Sequence, residues 1–166
     1  MNKVGIVMGS ASDLPVVEKA TSVLRDYGVP FEVRVLSAHR CPDEAREFAA
    51  SAREGGFSVL IAFAGMAAHL AGALAANSTL PVIGVPCKGA VLDGVDALYS
   101  TVMMPPGIPV ATVGVDGGKN AALLAIEILA ATDAALAEQL ANSRREMREQ
   151  VLKSDAEIRA KFSETK

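Results

Sequence analysis

Tryptophan is absent from this sequence, and aromatic residues make up only 4% of it. A single-stranded nucleic-acid binder needs stacking rings along a basic groove. The formal charge of -3, with acids and bases interspersed, supplies no such groove, so no nucleic-acid partner is expected. Cysteine is nearly absent too. Cys41 and Cys87 are too few for a disulfide framework and too isolated for a zinc cluster. Each reads better as a small buried or half-buried residue than as a nucleophile. Although 51% of the residues are hydrophobic, no apolar run approaches the ~20 residues needed to cross a bilayer, and no membrane partner is expected. The first strand-like run begins at Lys3 without a signal-peptide layout, which points to a mature start here and a cytoplasmic protein. A small ligand is the remaining expectation.

Low-complexity tracts, linkers and internal repeats are not evident, and the length suits a single α/β domain with a core over residues 1–132 and a helical extension over 133–166. Short apolar runs alternate with helical patterns. Residues 4–8 form a brief strand ending at Gly9. Leu14, Val17, Thr21 and Leu24 then recur at helical spacing, with Gly28 as a stop. Phe31, Val33 and Val35 alternate with Glu32 and Arg34, which suits an edge strand. Pro42 opens a helix that Gly55 and Gly56 end. Residues 59–64 and 81–85 read as buried strands, 67–76 as a helix of small residues, 95–102 as a short helix, 110–115 as a fifth strand and 120–131 as a further helix. Leu136, Leu140, Met147 and Val151 mark an intermittent stripe on a polar last helix. Alternation of this kind predicts a three-layer α/β fold, an open parallel sheet of about five strands with helices on both faces and an extended C-terminal helix. Right-handed crossovers then bring all strand ends to one rim.

The segments after the first three strands are Gly9-Ser10-Ala11-Ser12-Asp13, Ser37-Ala38-His39-Arg40 and Gly65-Met66-Ala67-Ala68-His69. Both histidines of the chain fall on that rim, which is the strongest sign of an active site. Ser10 and Ser12 offer hydroxyls and free N–H groups suited to phosphate. Ser12 or Asp13 could equally be a helix cap. Asp13 would repel a phosphate but could accept hydrogen bonds from ribose hydroxyls, so a phosphoribosyl ligand fits better than bare phosphate. Arg40 supplies a charged fork and Ser37 another donor. His39 beside them can exchange a proton near neutral pH. Gly65, Ala67 and Ala68 are small enough for a planar ligand to lie against backbone. His69 either contacts that ligand or holds the loop. Lys88, after the fourth strand, reads as solvent-facing.

Taken together, GSASD, SAHRCPDEA, AGMAAHLAG, GVDALYSTVMMPPGIPV and KNAALLAIEIL resemble the class I N5-carboxyaminoimidazole ribonucleotide mutases, often described as the catalytic subunit of phosphoribosylaminoimidazole carboxylase. The resemblance runs over residues 4–133. It implies a flavodoxin-like fold, a place in de novo purine biosynthesis and a homo-octamer whose sites draw on more than one subunit. It also implies chemistry with neither metal nor organic cofactor. Ser10, Asp13 and Arg40 match substrate-binding positions, with Ser12 and Ser37 assisting at the phosphate. His39 matches the general acid/base and His69 a second active-site histidine that class II carboxylases lack. The sequence departs from many relatives at Met66, where a glycine is usual, at Ala71, where a proline is usual, and in the loop Lys88-Gly89-Ala90-Val91. Two alternatives stay open. One is a direct carboxylase taking carbon dioxide from solution. The other is a non-catalytic flavodoxin-type nucleotide module, against which the scarcity of rings for stacking a flavin argues.

Overall fold

The computed structural model describes residues 3–163. Five parallel strands form one sheet in the order β2-β1-β3-β4-β5. They are β1 (Lys3–Met8), β2 (Phe31–Val35), β3 (Phe57–Gly65), β4 (Val82–Cys87) and β5 (Ala111–Thr112). Between them run α1 (Leu14–Asp26), α2 (Pro42–Ser51), α3 (Leu70–Ala76) and α4 (Val95–Val102), followed by α5 (Gly118–Ala130) and α6 (Ala134–Ser163). This is the expected three-layer, flavodoxin-like arrangement. The order reverses direction between β1 and β3, and open sheets of this kind gape at such a switch point, beyond the carboxyl ends of the strands.

The residue patterns explain the strand order. β4 is buried along its whole length and β1 along all but its first residue, as covered central strands must be. β2 alternates apolar and charged residues and takes the edge, where Glu32 pairs with Lys3 at 2.6 Å and with Arg34 at 3.6 Å. In β4 the glycine at position 84 lets α4 lie close: a Cβ there would come within 2.4 Å of the Thr101 methyl group.

Three expectations are corrected. The fifth strand is only two residues long. Beyond Thr112 the ladder survives as two single bonds, Val113 N–H to Gly84 O and Asp116 N–H to Pro86 O, because Gly114 and a left-handed Asp116 (φ 54°) carry the chain away from β4. The small-residue helix begins at Leu70, three residues later than its composition predicts. Met66 turns left-handed (φ 56°), and Ala67 and Ala68 stay in the loop with His69 as N-cap. The third correction concerns repeats. The chain divides into two compact units, one through Leu129 and one from Ala130. The second unit is dominated by α6, whose first turn is capped by the Asp133 carboxylate accepting from the N–H groups of Ala135 and Leu136. Along α6 residues recur every eleven positions: Leu136, Met147 and Ile158; Leu140, Val151 and Phe162; Glu138 and Glu149; Gln139 and Gln150; Ser143 and Ser154. Eleven residues make just over three helical turns, so the apolar members share one face with only ~20° of drift per repeat. Its later members, Met147, Val151, Ile158 and Phe162, are exposed. Among the described residues no helix is long and apolar enough to cross a membrane.

Candidate active site

A cavity of about 540 Å³ opens at the carboxyl ends of β1, β2, β3 and β4. From the β1 end it is lined by Gly9, Ser10, Ser12 and Asp13, and from the β2 end by Ser37, Ala38, His39 and Arg40. The β3–α3 junction adds Ala64, Gly65, Met66, Ala67, His69 and Leu70, and the β4 end adds Lys88 and Gly89. Every candidate read from the sequence lines this space except Ala68. That residue is 1% exposed and belongs to the interior beneath the loop.

The β1 segment is organised by its own hydroxyls. Ser10 Oγ accepts from the Ser12 N–H (3.3 Å) and from the Ser12 hydroxyl (2.9 Å), capping a single 3-10 turn over Ala11–Asp13. The capping role therefore falls to Ser10, and Asp13 makes no side-chain cap bond to α1. Asp13 is only 9% exposed. Burial pushes its carboxyl above the usual carboxylate value. A bond from the Ser10 backbone opposes this, and the neighbouring Asp116 carboxylate adds to it.

Ser37 organises the β2 segment in the same way. Its Oγ accepts from the backbone N–H groups of His39 (3.4 Å) and Arg40 (3.2 Å), and its own N–H points to Cys41 Sγ at 3.0 Å. Arg40 Nη2 donates to Gly9 O at 3.1 Å, which ties the two loops together and leaves further guanidinium donors for an anion. Cys41 is thus a half-buried structural residue. Cys87 is 2% exposed, with its thiol pushed up to about 12 by burial and by the Asp13 and Asp116 carboxylates. It stays protonated at neutral pH and is no nucleophile.

The two histidines meet. His39 Nε2 lies 2.8 Å from His69 Nδ1, and the rings cross edge to face at 5.0 Å between centroids. A bond between two imidazoles needs one N–H and one lone pair, so this contact carries a single proton between the rings. Of the two readings of His69, the one with its ring at the cavity fits this geometry. Met66, left-handed where glycine would be unstrained, spreads the loop that presents His69.

Lys88 is exposed, as expected, and lines the cavity while pairing with Asp93 at 2.9 Å, which raises the ammonium's proton affinity. Asp116 escaped the sequence reading. It neighbours Asp13, and its Oδ1 accepts from the Lys88 N–H at 3.0 Å. Among the described residues no group of three or more His, Cys, Asp or Glu side chains could hold a metal ion.

A profile of the family described as AIR carboxylase matches residues 3–150. The N5-carboxyaminoimidazole ribonucleotide mutase of Pyrococcus abyssi is 56% identical over 148 residues, covering 89% of this chain and 85% of that one. The phosphoribosylaminoimidazole carboxylase of Saccharomyces cerevisiae is 52% identical over 149 residues, which are 90% of this chain but 26% of that protein. Among solved structures, Treponema denticola PurE superposes with a TM-score of 0.86 at 28% identity, covering 95% of this chain and 98% of that one.

Proposed function

The chain belongs to the AIR carboxylase family, and on that premise we propose that it converts N5-carboxyaminoimidazole ribonucleotide to 4-carboxy-5-aminoimidazole ribonucleotide in purine biosynthesis. The reaction is an intramolecular carboxyl transfer, that of a mutase. The observation that carries this reading is the His39–His69 pair at 2.8 Å, set beside hydroxyls and a guanidinium suited to a phosphoribosyl group.

Arg40 and the serines at 10, 12 and 37 hold the phosphate, and Asp13 accepts from ribose hydroxyls. The base then lies against Gly65 and Ala67, within reach of His39. Protonated His39 gives its proton to the exocyclic nitrogen as the carbamate C–N bond breaks, leaving carbon dioxide and the neutral aminoimidazole. Ring carbon 4 attacks carbon dioxide and forms the new C–C bond. Neutral His39 removes the proton from carbon 4, which restores the aromatic ring and returns the imidazolium. One group that titrates near the working pH can serve both steps. His69 fixes the orientation of the His39 ring through their shared bond, as a second imidazole can when it accepts from the first.

The likeness to a carboxylase favours a second reading, direct carboxylation of aminoimidazole ribonucleotide by dissolved carbon dioxide, which shares the second half of this chemistry. Supplying each substrate separately decides between them. Fast turnover of the carbamate, with aminoimidazole ribonucleotide consumed only at high bicarbonate, supports the mutase. The reverse pattern overturns it.

The proposal extends to a cytoplasmic homo-octamer. Free thiols at Cys41 and Cys87 suit a reducing compartment. The exposed α6 stripe, and a second set of exposed apolar residues at Val91, Val95, Tyr99 and Met103, suit burial against further copies. Light scattering tests the assembly, and a fully active monomer would sink it.

A further inference from the structure

Asp116 lies outside the motifs that carry the family resemblance, yet it touches two parts of the site. It sits left-handed between β5 and α5, with a φ of 54°. Its N–H donates to Pro86 O at 2.9 Å, and its Oδ1 accepts from the Lys88 N–H at 3.0 Å. These bonds grip the chain on either side of Cys87, the last residue of β4. Lys88 and Gly89, just beyond that grip, form the cavity wall contributed by the β4 end. Pro86 is still paired with Ala64 of β3, so the anchored side of the grip is the sheet and the side held by the carboxylate is the loop.

We propose that Asp116 is a positioning residue of this site, one whose carboxylate holds the Lys88–Gly89 wall in place for the ligand. The inference rests on the ribonucleotide reading above. The Lys88 side chain does not tie the wall to the sheet in its stead, because its ammonium pairs with Asp93 of the same loop at 2.9 Å.

The left-handed backbone selects the test variants, since asparagine and glycine both adopt it with little strain. Asp116→Asn keeps an acceptor for the Lys88 N–H and removes the charge. Asp116→Gly removes both. Binding of 4-carboxy-5-aminoimidazole ribonucleotide is measured by calorimetry at neutral pH for these two variants and the parent. Asp116→Asn binds close to the parent, whereas Asp116→Gly binds about fivefold to tenfold more weakly than Asp116→Asn because the Lys88 N–H has lost its acceptor. Equal affinity for the two variants overturns the inference. A parent protein that binds no ribonucleotide at any pH would overturn the functional reading itself, and the inference with it.

Discussion

The cavity has two walls of unlike construction. On one, Ser10, Ser12, Ser37 and Arg40 are each bonded to main chain or to one another before any ligand arrives. On the other, the His39 and His69 rings are bonded to each other, above a loop of small residues and a left-handed Met66. A wall whose donors are already oriented binds with little ordering cost. The second wall is the one to which the proposed reaction assigns proton transfer, with the His69 ring orienting that of His39. On the proposed function, that difference makes affinity and turnover separable residue by residue.

The largest effect that would break this division comes from His39. His39→Asn or His39→Gln is expected to lower turnover by ~10²–10⁴-fold or more, since one group serves two proton transfers. Ribonucleotide affinity, measured by calorimetry on the same protein, should largely survive. If the variant kept above about a third of the parent activity, a loss far short of the ~10²–10⁴-fold expected for an acid/base, His39 would lose its assigned role.

The binding wall should give the opposite pattern. Arg40→Ala and Asp13→Ala are each expected to weaken ribonucleotide binding by ~1.5–3 kcal/mol, roughly tenfold to a hundredfold or slightly more. The riboside, which lacks the phosphate, sharpens the test. Against it the Arg40 change should be nearly silent while the Asp13 change keeps its penalty. An equal Arg40 penalty with both ligands would place the guanidinium elsewhere than at the phosphate.

How much of this was legible beforehand depends on the kind of signal. Edge and central strands were legible because β2 alternates Glu32 and Arg34 with apolar residues, whereas residues 59–64 are continuously apolar. The rim was legible because parallel strands with right-handed crossovers bring Ser10, His39 and His69 to one side. Helix starts were less so. Residues 67–69 look helical by composition, and only the backbone turn at Met66 keeps them in the loop. Asp116 was hidden because its role depends on a register, Ala111 against Ile83, which no local pattern encodes. The eleven-residue period of α6 is faint in the sequence because the exposed part of its stripe is diluted by charge.

The smallest expected effect concerns what the binding wall costs the fold. Asp13 is buried next to Asp116, and its proton affinity is higher in the folded chain than its ordinary value. A folded state that holds a proton more tightly than the unfolded state loses stability as pH rises through that interval, and the loss is complete above the folded pKa. At neutral pH, therefore, ionised Asp13 destabilises the chain. Asp13→Asn keeps an acceptor for the Ser10 N–H and puts an uncharged amide beside Asp116. Its melting temperature at neutral pH should exceed that of the parent by about 2–4 °C for each kcal/mol relieved. The gap should close as pH falls below the ordinary aspartate range, where the parent side chain is itself neutral. Ribonucleotide affinity should fall in the same variant, the usual exchange of stability for function at a binding site. Thermal melts of both proteins over this pH range test the point. A variant no more stable than its parent at neutral pH, or a gap that persists undiminished in acid, would show that Asp13 is not held against its own charge.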